Sequence, residues 1–578
     1  MRKIIFGTPE KIVPSNFCKG FDYRETEGVY PVDAINFSLN SRGCVLEFPC
    51  GAEEQFFGLG LQLKTFNLTG GKFTLHPNAD PVAATGDSHA PVPFFVSTAG
   101  YGIYIDTARH AEFYFNKKKT LETEYAADDK KTLAVSTEEL YKRRAEKGAS
   151  RVVVQIPVAK GVTIYVIEGK TISDIVSQYN MLAGGGCSVP EWGLGLFYRC
   201  CVRYTQTQVE ETANYFIKNN IPCEILGLEP GWQTHSYSCS YLWDSQLYPN
   251  PQKLLQNLKD KGFHVSLWEH AFVHPSSPIY EKLLPYSGNY EVWGGLVPDF
   301  SIREASKIFA QYHKTSVGFG IVDGYKLDEC DSSDYTGGWS FPLCSEFPSG
   351  MDGEQYHSLF GTLYMQSVLS ALDKPTLSEV RNAGALCSPY PFVLYSDLYE
   401  HKDFIRGLAT AGFSGLLWTP EVRHANDKEE FLRRLQSVVF SPQCLINGWY
   451  CDELPWLNFN CENELRYWMD VRNTLKPILI KAFEKYKSEG LPPIRALVSD
   501  YTFDSETYQI DDEYIFGENI IVAPIAAGEK SRKVYLPNGE WKNFFTGERV
   551  ASGWFEVETD SIPVYINENK NEKVPFGK

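Results

Sequence analysis

From residue 1 to about 165, apolar and polar positions alternate in short runs: FSLNSRGCVLEFPCG, GGKFTLHP, AGYGIYIDT and ASRVVVQIP, with Gly, Asn and Pro between them. A period of two places successive side chains on opposite faces, so each run predicts a strand with one buried face, and strands at this spacing predict an antiparallel β-sandwich over 1–165. The mixed-charge stretch 117–148 reads as a solvated insertion within it. The period then lengthens. TISDIVSQYNMLAGG predicts a helix with Thr171 or Ser173 as cap and Gly184 to Gly186 as stop, a bridge spanning 166–187. From 188 the texture changes again. Short apolar runs (GLGLFYR, CEILGLEP, HVSLWEH) alternate with amphipathic helices (QVEETANYFIKNN, PQKLLQNLKDKG). That alternation predicts repeated β-α units with parallel strands, an α/β architecture in the form of a (β/α)8 TIM barrel over 188–487 that closes with a helix at 462–487. A second β-rich region, with ENIIVAPI, KSRKVYLPNGEWKNFF and DSIPVYIN, predicts a smaller C-terminal β-sandwich over 488–578.

In such a barrel the C-terminal strand ends form the active face. Polar residues stand at those ends here: Glu229, His270, Asp328, Arg381, Asp397 and Glu421. The densest charge lies in VDGYKLDECD, residues 322–331, where Asp328, Glu329 and Asp331 fall within four positions. Like charges this close repel, and packing alone gives no reason to gather them. Two explanations stay open. The cluster holds a cation, or it holds a nucleophilic carboxylate with neighbours that accept sugar hydroxyls. Alternation along a strand turns Glu329 away from its neighbours.

Composition narrows the partners. A formal charge of −17 argues against nucleic acid and against an anionic membrane surface, because phosphate binding needs a basic face. No run of about 18 apolar residues is present, so no membrane span is expected. The opening MRKIIFGTPEKIVPSNF lacks the apolar stretch of a signal peptide. Without one, the 14 Cys read as reduced thiols and the expected location is cytoplasmic. No cofactor and no metal are expected, and the oligomeric state is left open. The aromatic share of 14% supplies rings that stack on sugar faces, but a large core accounts for most of it.

Over most of its length the chain resembles glycoside hydrolase family 31, the α-glucosidase and α-xylosidase family. The similarity rests on FFGLG at 56–60, HPNAD at 76–80, YGIYID at 101–106, VIEGKTISDIVSQYNMLAG, and FGENIIVAPI at 516–525 followed by VYLPNGEWKNFFTGE. GYKLDECD sits where the family has Lys-x-Asp-x-x-Glu, and RNAGALCSPYPFVLYSD resembles the family stretch from Arg to the acid/base Asp. The resemblance implies a retaining exo-α-glycosidase without cofactor, acting on an oligosaccharide or glycoside. It implies Asp328 as nucleophile, Asp397 as acid/base, and Arg381 and Lys326 beside the sugar. It further points to Glu229, Trp232, His270, Trp418, Glu421, Asn447, Asp331 and Asp87 as substrate-binding candidates, with Asp80 on the same N-terminal loop as Asp87. For this chemistry Asp328 has to be ionised, with Lys326 or Arg381 holding its pKa low, and Asp397 protonated, its pKa raised by a drier wall and the adjacent charge.

The departures cluster on sugar recognition. Ser396-Asp397 replaces the family's Gly-Asp, and PEVRH, with Glu421, replaces Asp-Ile-Gly-Gly-Phe. Leu445 and Asn447 replace an Arg and a His, and Glu229 is one methylene longer than the family's Asp. EPGW and the Ser-Asp pair resemble α-galactosidases of the related clan, which leans the expectation to an α-galactoside. An α-glucoside, an α-xyloside, an α-N-acetylgalactosaminide, transfer to a sugar acceptor, or a non-catalytic sugar-binding protein remain alternatives.

Overall fold

The computed structural model describes residues 1–78, 81–118, 150–331, 338–397 and 400–568. Most of the insertion expected at 117–148 therefore lies outside the described residues, as does Asp80.

Two five-stranded antiparallel sheets form the N-terminal sandwich. One runs Arg2–Thr8, Lys160–Glu168, Tyr101–Asp106, Pro91–Ser97, Phe56–Gly60; the other runs Asn36–Asn40, Gly43–Pro49, Ser150–Pro157, Glu112–Lys118, Lys72–Thr74. Strand Ser150–Pro157 shows how the sequence dictates this. Ser150, Val152, Val154 and Ile156 alternate inward, and the three apolar ones join Leu46, Phe48 and Phe113 in the core between the sheets.

The bridging helix, Ile172–Leu182, starts where the pattern placed it. Thr171 is the cap: its hydroxyl accepts the Asp174 N–H, and Asp174 returns a bond to the Thr171 N–H at 3.0 Å. Ser173 lies inside the first turn. Gly184 (φ 99°) and Gly185 (φ 96°) turn the chain away, a backbone state that favours glycine. This helix packs on the barrel at a particular gap. The described residues between the fifth and sixth barrel strands form no outer helix, and there the Tyr179 hydroxyl accepts the Leu386 N–H at 3.0 Å.

Seven barrel strands form one fully parallel sheet. In spatial order they are Phe392–Leu394, Ser378–Val380, Gly324–Asp328, His264–His270, Ile225–Leu228, Leu196–Arg199 and Cys444–Asn447. The stretch 416–422 closes the ring between the two edges through single bridges, Leu394 to Trp418 and Val422 to Ile446. The Leu394 N–H donates to the Leu417 carbonyl at 2.8 Å, and the Asn447 N–H to the Val422 carbonyl at 2.7 Å. The strands are buried on both faces, as parallel strands under helices must be. Outside run Gln206–Lys218, Pro251–Asp260, Arg303–Tyr312, Gly353–Leu372, His401–Thr410, Lys428–Val439 and Glu462–Glu489, the last ended by Gly490 at φ 77°.

The C-terminal region is a six-stranded sheet, Ile494–Ala496 to Arg549–Val550, with the pair Ser531–Leu536 and Gly553–Glu558 packed on it. One continuous apolar core joins the inner sheet of the sandwich, the barrel and this sheet. Among the described residues no helix is long and apolar enough to cross a membrane.

Candidate active site

The fourth strand ends on Asp328, which is 5% exposed. Its Oδ2 accepts the Trp268 indole N–H at 2.7 Å, and its Oδ1 accepts Nη1 of Arg381 at 3.2 Å. Arg381 follows the fifth strand directly. Its Nε donates to Oδ2 of Asp331 at 2.9 Å, and the same Nη1 that holds Asp328 also contacts Oδ2 of Asp397. Asp397 lies three residues beyond the sixth strand, and its other oxygen accepts Nη2 of Arg423. One nitrogen thus touches both carboxylates. Two hydrogen bonds at one atom leave their acceptors at most about 6 Å apart, a bound that admits the roughly 5–5.5 Å carboxyl pair of retaining glycosidases.

The protonation pattern resolves the repulsion that the sequence posed. Burial works against charge on Asp328, but Arg381 and then Lys326 outweigh it, and the pKa falls below the usual carboxylate value. Burial also works against charge on Asp397, where Arg381, Arg423 and Lys326 together hold the carboxyl well below its usual range. The sequence reading expected the opposite for Asp397; two guanidinium contacts account for the difference. Burial, with the Asp328 charge behind it, pushes Glu329 well up. Burial likewise raises Asp331 to about 7, although Arg381 pulls the other way. Glu329 follows the strand end in a left-handed conformation (φ 54°), so strand alternation does not set its direction. Asp328, Asp331 and Asp397 converge on one guanidinium, and among the described residues no group of His, Cys, Asp or Glu has the geometry to hold a metal ion.

Below this layer lies a second network around Arg199, which ends the first strand and is fully buried. Its Nε donates to Glu379 at 3.2 Å, its Nη1 reaches Glu421 at 3.3 Å, and Glu229 lies at 3.8 Å. Lys326 Nζ donates to Oε2 of Glu229 at 2.9 Å, and Asn447 Nδ2 to Oε2 of Glu421 at 3.0 Å. Arg423 closes the circuit from Glu421 to Asp397. The structure therefore brings Lys326, Glu229, Glu421 and Asn447 together as expected, but engages them with one another.

Four candidates need correction. Trp232 is no stacking platform. It is fully buried, packs against Trp243 and donates its indole N–H to the Trp268 carbonyl at 2.7 Å. Trp418 is equally buried, bonded to the Phe404 carbonyl at 3.0 Å, and has no open face. Asp331 is enclosed and anchors Arg381. Asp87 is engaged within the N-terminal loop, by Asn78 at 3.2 Å and His76 at 3.6 Å. His270 is fully buried, shares a strand face with Trp268, lies beside Asp328 in register, and accepts the Phe272 N–H on Nδ1 at 3.1 Å.

Several residues were not foreseen. His89 reaches from the N-terminal sandwich into the site, with Nδ1 3.0 Å from the Arg381 carbonyl and Nε2 2.9 Å from the Ser396 hydroxyl. Asn382 donates to the His89 carbonyl at 2.7 Å. Arg423, Arg199, Glu379, Trp268 and Tyr395 also belong to the site. Strand alternation back from His270 could have found Trp268; nothing in sequence spacing could have found His89.

The family model for the glycosyl hydrolases family 31 TIM-barrel domain matches residues 187–482, and that for the family 31 C-terminal domain matches 490–570. Among curated proteins, an α-xylosidase of Emericella nidulans is 22% identical over 559 residues, covering 90% of this chain and 67% of its own length. Alpha-glucosidase 2 of Bacillus thermoamyloliquefaciens is 24% identical over 566 residues, covering 89% and 67%. Among solved structures, a Flavobacterium johnsoniae family 31 dextranase complexed with isomaltotriose superposes with a TM-score of 0.78 at 22% identity, covering 92% of this chain and 67% of its own.

Proposed function

The chain belongs to glycosyl hydrolase family 31, whose members hydrolyse O-glycosyl bonds, and we propose that it removes a terminal α-linked sugar from a glycoside or oligosaccharide by double displacement. The observation that carries the reading is the single Arg381 nitrogen in contact with both Asp328 and Asp397. Asp328, kept ionised by Arg381, attacks the anomeric carbon. The glycosidic C–O bond breaks as its oxygen takes a proton from Asp397, and a glycosyl ester on Asp328 results. Water then attacks that carbon, Asp397 takes its proton, and the ester bond returns its electron pair to Asp328. The ionised Asp397 of the free enzyme is already in the state that the second step needs. For the first step it carries a proton, and an entering sugar that parts Asp397 from Arg381 removes one of the charges opposing that proton.

For the sugar, the relatives named above act on an α-xyloside or an α-glucoside, and these favour a first sugar of glucose or xylose configuration. None of them supports the α-galactoside expectation. A panel of 4-nitrophenyl α-glucoside, α-xyloside, α-galactoside and α-N-acetylgalactosaminide decides between them. Asp328→Asn abolishes turnover of the preferred member, and proton NMR of the first product shows the α-anomer. Full activity in Asp328→Asn refutes the mechanism. Binding without turnover across the panel would instead favour a sugar-binding protein on the same fold.

A further inference from the structure

The positions expected to read sugar hydroxyls, Glu229, Glu421 and Asn447, are committed to Lys326, Arg199 and one another. Something else has to hold the sugar. Buried polar groups are almost always hydrogen-bonded, so those without a protein partner at an active face invite a ligand. Among the described residues, such atoms include two at the C-terminal ends of the sixth and eighth strands: the hydroxyl of Tyr395 and Nε1 of Trp449.

Each is fixed in a way that presents a donor. The Tyr395 ring is fully buried and enclosed by cations: Arg199 at 4.8 Å, Lys326 at 5.1 Å and Arg381 at 6.0 Å from its centroid. These contacts hold the ring two residues before Asp397 and leave its hydroxyl without a partner. The Trp449 ring lies against Arg423 at 5.6 Å and Lys326 at 6.0 Å, and an indole nitrogen can only donate.

We propose that Tyr395 and Trp449 read hydroxyls at the first sugar site, each donating to a different hydroxyl oxygen of a neutral pyranose. They stand at the ends of the sixth and eighth strands, on either side of the 416–422 stretch. This assignment rests on the glycosidase reading for its location beside Asp328 and Asp397, but it concerns binding and does not depend on turnover.

The test uses variants that delete a donor: Tyr395→Phe, which keeps the ring, and Trp449→Phe, which keeps an aromatic ring of smaller size. Calorimetric titration with D-glucose and D-xylose identifies the tighter sugar for the unaltered enzyme. Each variant is expected to bind that sugar about 10–100-fold more weakly, since a site built to bond a hydroxyl pays for its absence. Each loss should vanish against one monodeoxy form of the sugar, a different one for each variant. The melting temperature of Tyr395→Phe should hold or rise, because an unpartnered donor stabilises nothing in the free protein. Equal losses on every monodeoxy sugar, a drop in melting temperature in Tyr395→Phe, or no binding of either sugar by the unaltered enzyme would overturn the assignment. Inactivity of the enzyme on aryl glycosides with sugar binding intact would overturn only the mechanism.

Discussion

Arg423→Gln tests whether the acid/base group is governed by its second guanidinium. Arg423 is 4% exposed and touches Asp397 through Nη2 and Glu421 through Nε; the Asp397 side chain is 31% exposed. Two unit charges about 4 Å apart interact by about 4 kcal/mol at an effective dielectric of 20. Solvent at Asp397 reduces that by about half, and about 1.4 kcal/mol corresponds to one pKa unit. Removing Arg423 should therefore raise the Asp397 pKa by about 1–2 units. The basic limb of kcat/KM reports the free enzyme's proton donor, so it should move towards higher pH by the same amount. The assay is a pH series on a substrate with a poor leaving group, run beside a 2,4-dinitrophenyl glycoside whose departure needs little proton donation. The first profile should shift while the second hardly changes. A basic limb that stays in place on the poor leaving group would refute the reasoning, because the group that titrates would then not be the one Arg423 contacts.

Arg199→Met leaves Glu379, Glu421 and Glu229 without their shared cation, and denaturant unfolding should show a loss of about 3–5 kcal/mol. His89→Leu frees the Arg381 carbonyl and the Ser396 hydroxyl; a small misplacement at this depth should lower kcat by about 10–100-fold with little change in KM, as initial rates will show. Glu513 bonds to Arg532 at 3.0 Å in the C-terminal domain, and burial raises its pKa to about 8 despite that cation. A raised carboxyl pKa stabilises fully below the unfolded value near 4 and is lost as pH rises through about 8. The unaltered protein should therefore lose melting temperature between pH 5 and 9 more steeply than Glu513→Gln, and parallel curves would contradict this.

Periodicity made the frame legible because it reports only whether a side chain faces water. That suffices for Ser150–Pro157 or Ile172–Leu182, where one face is buried, and for strand ends that carry a charge after an apolar run. It cannot separate two ways of being buried. Trp232 and Trp418 follow strand-like runs at the active face, and only packing shows that one bonds the Trp268 carbonyl while the other is closed in against the Phe404 carbonyl. Nor does it report pairing across the chain. His89 meets a carbonyl 292 residues away, and Arg423 sits 26 residues from the carboxylate whose proton it controls. Alternation does not reach Glu329 for a local reason, since it assumes extended backbone and the chain there has turned left-handed.

The charge balance explains why the cluster that stood out in the sequence is tolerable in the fold. Asp328, Asp397, Glu229, Glu379 and Glu421 each contact a cation, drawn from Lys326, Arg199, Arg381 and Arg423; Asp331 shares Arg381, while burial favours the neutral form of Glu329. Every cation but Lys326 serves more than one carboxylate. Protonating one member therefore changes the field at the others, and the ionisation of Asp328 and Asp397 belongs to the network. The same linkage constrains recognition. Had Glu229, Glu421 or Asn447 to release its partner to meet a hydroxyl, buried charges would be left unmatched, at a cost that one neutral hydrogen bond does not offset. Neutral donors such as Tyr395 and Trp449 can take up that task without disturbing the charges that drive the chemistry.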